Sequence, residues 1–173
     1  MTDPRDELVD VLDGTGAVVE VRTRREVREG NLLHRSVFIA VIDSADRIVV
    51  HQRAPWKDVW PSRWDLCFGG VVDSGESVAD AAVRELAEEA GVVLDVGALE
   101  HLGDERYADD LVREFGTVYL ARSDGPFTFP DGEVAASDRV PLTLLDAWVR
   151  ERTMVPDSLA IVLPLLPLEG IRS

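Results

Sequence analysis

A chain of 173 residues with 46% hydrophobic content is long enough to bury one substantial core without disulfides, and 18 Lys+Arg against 33 Asp+Glu leave a formal net charge of -15. That charge argues against a nucleic-acid partner or an anionic membrane surface, and no apolar run reaches the ~18 residues of a membrane span. The single Cys67 permits no internal disulfide, and the acidic start MTDPRDELVD lacks the basic and apolar regions of a secretory signal, so a cytoplasmic protein is expected.

In chain order, LVDVLDGTGAVVEVRTR predicts two strands around the turn Asp13-Gly14-Thr15-Gly16, and RREVREGN a short helix closed at Gly30. SVFIAVIDSADRIVVHQR reads as strand, polar turn, strand, with Val37 to Ile42 apolar enough for a central strand covered on both faces. A helix is expected from about Val78 to Ala90, where Val78, Ala82 and Leu86 form an apolar stripe and Gly91 stops it. Further strands are expected at GVVLDVGAL, REFGTVYLAR and EVAASDRVPL, and helices at LTLLDAWVRER and DSLAIVLPLL. The expected class is α/β (α+β), a mixed sheet with helices on both faces in a single domain over 1–173, with hairpin and linker helix at about 7–32 and the core at about 35–165.

The stretch GGVVDSGESVADAAVRELAEEAGVVL ends its helix on Glu85, Glu88 and Glu89. Like charges four apart weaken a helix, and acidic groups near its C-terminus oppose its macrodipole. Because side chains three and four apart share a face, the three carboxylates can converge on one point and hold a magnesium or manganese ion. An acidic helix is commonly only a solvated face, so the case for metal rests on the whole stretch. It fits without a gap the pattern Gly70, Glu76, Arg84, Glu85, Leu86, Glu88, Glu89, Gly91, Val92, and this resembles the signature of the Nudix hydrolases.

The resemblance implies a Nudix-type α/β/α sandwich with a central mixed sheet and an N-terminal hairpin. It implies that the Gly69 carbonyl, Glu85, Glu88 and Glu89 ligate Mg2+ or Mn2+, and that Glu88 and Glu89 serve catalysis. Gly69 and Gly70 allow the backbone a sharp turn and close approach. Glu76 and Arg84, eight residues apart, are expected to form a structural ion pair between the metal loop and the helix. A further carboxylate outside the helix, as metal ligand or general base, is expected from Glu114 or from Glu133 in PDGEV, and the sequence does not choose between them.

LLHRSVFIAV, QRAPWKDVWPSRWDLCFGG and REFGTVYLAR also look like the isopentenyl-diphosphate isomerase branch of the superfamily and its hydrolase relatives. On that resemblance Arg53 and Lys57 fall where a diphosphate is gripped. The isomerase's cysteine and its following histidine fall on Gly69 and Val71, and a second histidine falls on Val27, which leaves His34 and Glu114 on matching positions. Cys67 lies two residues too early and reads as a buried strand residue. The expectation is a divalent-metal-dependent hydrolase of a nucleoside diphosphate derivative or similar small organic diphosphate, acting as monomer or homodimer. An isomerase and a catalytically silent binding module of the same fold are the alternatives.

Overall fold

The computed structural model describes residues 3–168. Two strands, β1 (Leu8–Leu12) and β2 (Val18–Thr23), form a separate antiparallel ribbon. The helix α1 (Arg24–Glu29) follows at once, and Thr23 and Glu26 close a reciprocal capping box on its N-terminus. Its one buried residue, Val27, packs with Val9, Val11 and Val71, so the linker helix is seated on the ribbon and on the core edge.

The core is a seven-stranded mixed sheet whose main path is β5 (Trp64–Asp65), β4 (Arg47–Arg53), β3 (His34–Ile42), β8 (Arg113–Arg122) and β7 (Glu100–Ala108). Two strands lie off this path: β6 (Phe68–Val71) pairs with β3, and β9 (Val134–Pro141) pairs with β4. Only β3 and β8 run parallel among these pairs, in a register that sets His34 opposite Glu114.

Strand β3 shows why the molecule is layered. Successive side chains point to opposite faces. Val37, Ile39 and Val41 accordingly pack with Ala82, Leu86 and Ala90 of the helix α2 (Val78–Ala90). Phe38, Ala40 and Ile42 pack on the other face with Leu145 of α3 (Leu145–Arg150) and with Ile161 and Val162. Burying a Leu or Ile side chain stabilises by about 1.5–3 kcal/mol, so a polar residue at any of these β3 positions would separate a layer from the sheet. The chain closes through a π-helical turn at Ser158–Val162 and a short helix, α4 (Leu163–Leu165). This is the mixed sheet with helices on both faces and the N-terminal hairpin expected from the sequence. Among the described residues no helix is long and apolar enough to cross a membrane.

Two local expectations are corrected. GVVLDVGAL is not a strand: Val92 and Leu94 do pack inward, but as a loop that enters a 3-10 turn at Val96–Ala98. The strand begins only at Glu100, and β7 was not foreseen because its sequence, EHLGDERYA, is largely polar and exposed. Cys67 is buried as expected, but it lies between β5 and β6 rather than in a strand.

Candidate functional site

One cavity of about 1160 Å3 gathers most of the sequence-marked residues. Its wall on one side is the loop and helix of the acidic motif. Ser77 caps α2 by accepting the Asp80 N–H at 3.1 Å. Gly91, in the left-handed region at φ +67°, ends it with its N–H on the Ala87 carbonyl at 3.1 Å. The helix therefore stops just past Glu88 and Glu89, and its last turn faces β6.

Gly69 sits at φ +151° and pairs with Phe38 of β3; a Cβ there would lie 2.0 Å from the Val37 carbonyl oxygen. Its N–H donates to Glu89 Oε2 at 2.9 Å. Gly70 fits for a different reason: a Cβ there would lie 2.6 Å from Glu85 Oε1, so the glycine is the space that the Glu85 carboxylate occupies. Glu85 is buried and Glu88 exposed. Arg84 binds both oxygens of Glu76 at 2.9 Å, reaches Glu85 at 2.8 Å and Glu88 at 3.2 Å, and donates to the Val71 carbonyl at 3.3 Å. The expected Glu76–Arg84 pair is present, and it also fixes two of the three helix carboxylates.

Glu89 meets a second source of carboxylates. Ligand oxygens of Glu89, Asp131 and Glu133 lie within 4.8 Å of one another. Asp131 carries no separate signal in the sequence beyond its place in PDGEV, where a turn at Gly132 (φ +71°) brings it beside Glu133, whose N–H donates to Asp131 Oδ1 at 2.9 Å. Lys57 ion-pairs with Glu133, and the Ala54 N–H donates to the Glu133 carbonyl at 2.8 Å, so the segment after β4 holds this loop. Burial pushes Glu85 and Glu89 upward from the usual carboxylate range, and the charge of Glu85 pushes Glu89 further. These converging carboxylates outnumber the cations paired with them, Arg84 on Glu85 and Glu88 and Lys57 on Glu133, and a set of hard oxygens suits magnesium or manganese. The glycine cradle at Gly70 and this carboxylate cluster fit a divalent metal ion.

Glu114, the other candidate base, lies apart from that cluster on the cavity floor. It is buried against Ser36 and Asp157, and its Oε1 has no hydrogen-bond partner among the described residues. Burial raises both Glu114 and Asp157 above the usual carboxylate range, and Asp157 is raised further by the charge of Glu114. Asp157 itself carried no signal in the sequence. Cys67 also lines the floor, but burial pushes its thiol well up, which removes the thiolate an acid/base cysteine would need. His34 is buried with Nδ1 2.8 Å from the Leu32 carbonyl, and desolvation lowers it to about 4, the state of a neutral structural histidine.

Cations line the same cavity. Arg53 lines the cavity with its Nε donating to the Val59 carbonyl at 3.2 Å, and Arg24, Arg25 and Arg28 from the linker helix line it too. These arginines were not marked in the sequence, although RTRREVR concentrates four cations in a chain of net charge -15. Trp60 is packed edge-on to Tyr107 and Trp64 edge-on to Trp148, whereas Trp56 stands 62% exposed at the cavity and is the aromatic free to touch a ligand.

Comparison with known proteins agrees with this geometry. The family model of the NUDIX domain matches residues 32–158. An uncharacterized Nudix hydrolase of Streptomyces coelicolor is 35% identical over 156 residues, covering 90% of this chain and 86% of that protein. The Escherichia coli K12 Nudix hydrolase YfcD is 33% identical over 153 residues, covering 88% and 83%. The crystal structure of DR0079 from Deinococcus radiodurans superposes with a TM-score of 0.77 at 23% identity, covering 92% of this chain and 99% of that one. The NUDIX domain of Shewanella oneidensis NrtR, solved with ADP ribose, gives 0.59 at 22% identity, covering 75% and 82%. Built on this fold, with the acidic motif on its helix and matched over most of its length, the chain belongs to the Nudix hydrolase family.

Proposed function

We propose that the protein is a divalent-metal-dependent hydrolase that cleaves the diphosphate linkage of a nucleoside diphosphate derivative or a similar small organic diphosphate. The observation that carries this reading is a single cavity lined both by the converging carboxylates of Glu89, Asp131 and Glu133 and by the guanidinium groups of Arg53 and Arg28, which have no ion-pair partner among the described residues. A diphosphate bound in such a cavity would have its charge met by these cations together with a divalent metal ion.

Glu85, Glu88, Glu89 and the Gly69 carbonyl would hold Mg2+ or Mn2+, with Asp131 and Glu133 facing Glu89. When bound, such an ion neutralises phosphoryl oxygens and lowers the pKa of water. The remaining work belongs to the chain. Arg53, a planar donor with no ion-pair partner among the described residues, orients the diphosphate within the same cavity. Glu133, fixed by Lys57, takes a proton from the attacking water, which adds to phosphorus while the bridging P–O bond breaks and its electron pair leaves with the second phosphate. Its closeness to Glu89 favours Glu133 over Glu114 as the base.

The test is phosphate and monophosphate release from a panel of nucleoside and non-nucleoside diphosphates, with magnesium and with EDTA. Release that needs the metal and is lost in Glu89→Gln supports the proposal. Turnover indifferent to EDTA, rearrangement without phosphate release, or no turnover of any diphosphate would reject it.

A further inference from the structure

The cation nearest to lacking an explanation is Arg28. It sits on the linker helix α1, half-buried in the cavity wall, and among the described residues it makes no ion pair and no side-chain hydrogen bond. Its neighbours on that helix differ: Arg24 is paired with Glu7 at 3.2 Å and Arg25 with Asp6 at 2.9 Å. Arg28 also feels the like charges of Arg24 and Arg53, and loss of water pushes it below its ordinary value. The carboxylates it senses, Asp58 and Glu114, stand beyond ion-pair distance. A guanidinium drawn out of water beside two others opposes folding unless an anion joins it.

We propose that Arg28, Arg53 and Arg24 form a phosphate subsite, supplied jointly by the linker helix and the core, that takes the terminal phosphate of the substrate. This deepens the hydrolase reading and rests on it. A terminal phosphate carries about two negative charges at neutral pH, whereas a phosphate esterified on its outer side carries one. Two unpaired guanidiniums and a third paired one match the dianion. The capping box and Val27 hold α1 in place, so Arg28 is presented to the cavity by a fixed backbone. Substrates ending in a free phosphate are therefore preferred over those whose diphosphate is esterified at both ends.

The test uses the full-length protein in EDTA with inorganic pyrophosphate as the probe, followed by calorimetry and by the rise in Tm. Wild type binds saturably. Arg28→Met weakens binding about tenfold or more, and Arg22→Met, exposed, paired with Glu20 and outside the cavity lining, stays within about twofold. ADP-ribose, esterified at both ends, competes about tenfold more weakly than pyrophosphate. Without ligand, Arg28→Met is as stable as wild type or more stable, because an unpaired desolvated charge has been removed; a merely structural arginine predicts lower Tm and unchanged pyrophosphate affinity. Should Arg28→Met not fold, Arg28→Lys decides: it keeps the charge but loses the planar fork, and its pyrophosphate affinity falls. No saturable binding to wild type, undiminished binding in the folded variant, or equal competition by ADP-ribose overturns the subsite. Pyrophosphate binding that depends on Arg28, in a protein that hydrolyses no diphosphate, retains the subsite and sinks the reaction instead.

Discussion

Arg84 holds both carboxylate oxygens of Glu76 at 2.9 Å, although the two residues lie on opposite sides of the turn that opens α2. The same guanidinium touches Glu85 and Glu88. Glu76 thus reaches the candidate metal site through Arg84, which holds Glu85 and Glu88, two of the proposed ligands.

Glu76→Gln frees Arg84 to shift toward Glu85 and Glu88, where it competes with a divalent ion. Loss of a group that orients metal-binding side chains typically costs about 10–100-fold in metal affinity, so titration with Mn2+ followed by electron paramagnetic resonance should show a loss in that range. Affinity equal to wild type would mean that the pair merely closes the turn.

The two glycines before the helix should fail in different ways. Gly69→Ala drives a Cβ into the Val37 backbone and asks an L residue to adopt φ +151°, so the protein loses stability by at least about 1–3 kcal/mol. Gly70→Ala meets the movable end of Glu85 instead, and it should fold with a near-native Tm while metal binding is impaired. Thermal melts beside metal titrations separate the two. Equal loss of Tm in both would contradict the assignment of Gly70 as the space for a carboxylate.

Buried neutral histidines set an acid limit. Burial lowers His34 and His51 to about 4 from 6.5, so the unfolded chain takes up their protons first as pH falls. The stability they contribute is present above pH 6.5 and is lost between about 6.5 and 4, on the order of 3 kcal/mol for each. Urea titrations across that window should show stability rising with pH, and His34→Gln should reduce the slope by about 1.4 kcal/mol per pH unit. A slope unchanged in the variant would show that His34 is charged in the folded protein.

The Glu114–Asp157 pair works in the other direction. Their folded values are raised, so the favourable contribution is present below the ordinary carboxylate range and is lost as pH rises through the folded values. In metal-free protein Glu114→Gln should match wild type near pH 4 and be more stable at pH 8, by about 1–3 kcal/mol. A less stable variant at pH 8 would mean that the ionised carboxylate is itself satisfied.

The sequence made β8 legible to the residue, because REFGTVYLAR alternates toward a covered face and its bounds are charged. α2 was legible for the same kind of reason, through its apolar stripe and its stop at Gly91. β7 was not, since its hydrogen bonds to β8 define it and only Leu102 and Tyr107 of its side chains pack against the core. Within the site, the motif carries Glu76, Arg84, Glu85, Glu88 and Glu89 on local spacing, which one dimension records. Asp131, Asp157 and Arg28 join the cavity only through tertiary placement of loop, C-terminal turn and linker helix. Lys57 was read as a phosphate donor, and its pairing with Glu133 was invisible because 76 residues separate them.

The central claim is that water attacks phosphorus within a diphosphate held in the cavity that the carboxylates and arginines line together. Hydrolysis of the best substrate in oxygen-18 water, with magnesium, tests this most directly when the products are weighed by mass spectrometry. The account predicts one labelled oxygen on a phosphate product, none on the organic alcohol, and no labelled product from Glu89→Gln. Label recovered on the alcohol, or unchanged labelling of phosphate by Glu89→Gln, would contradict it.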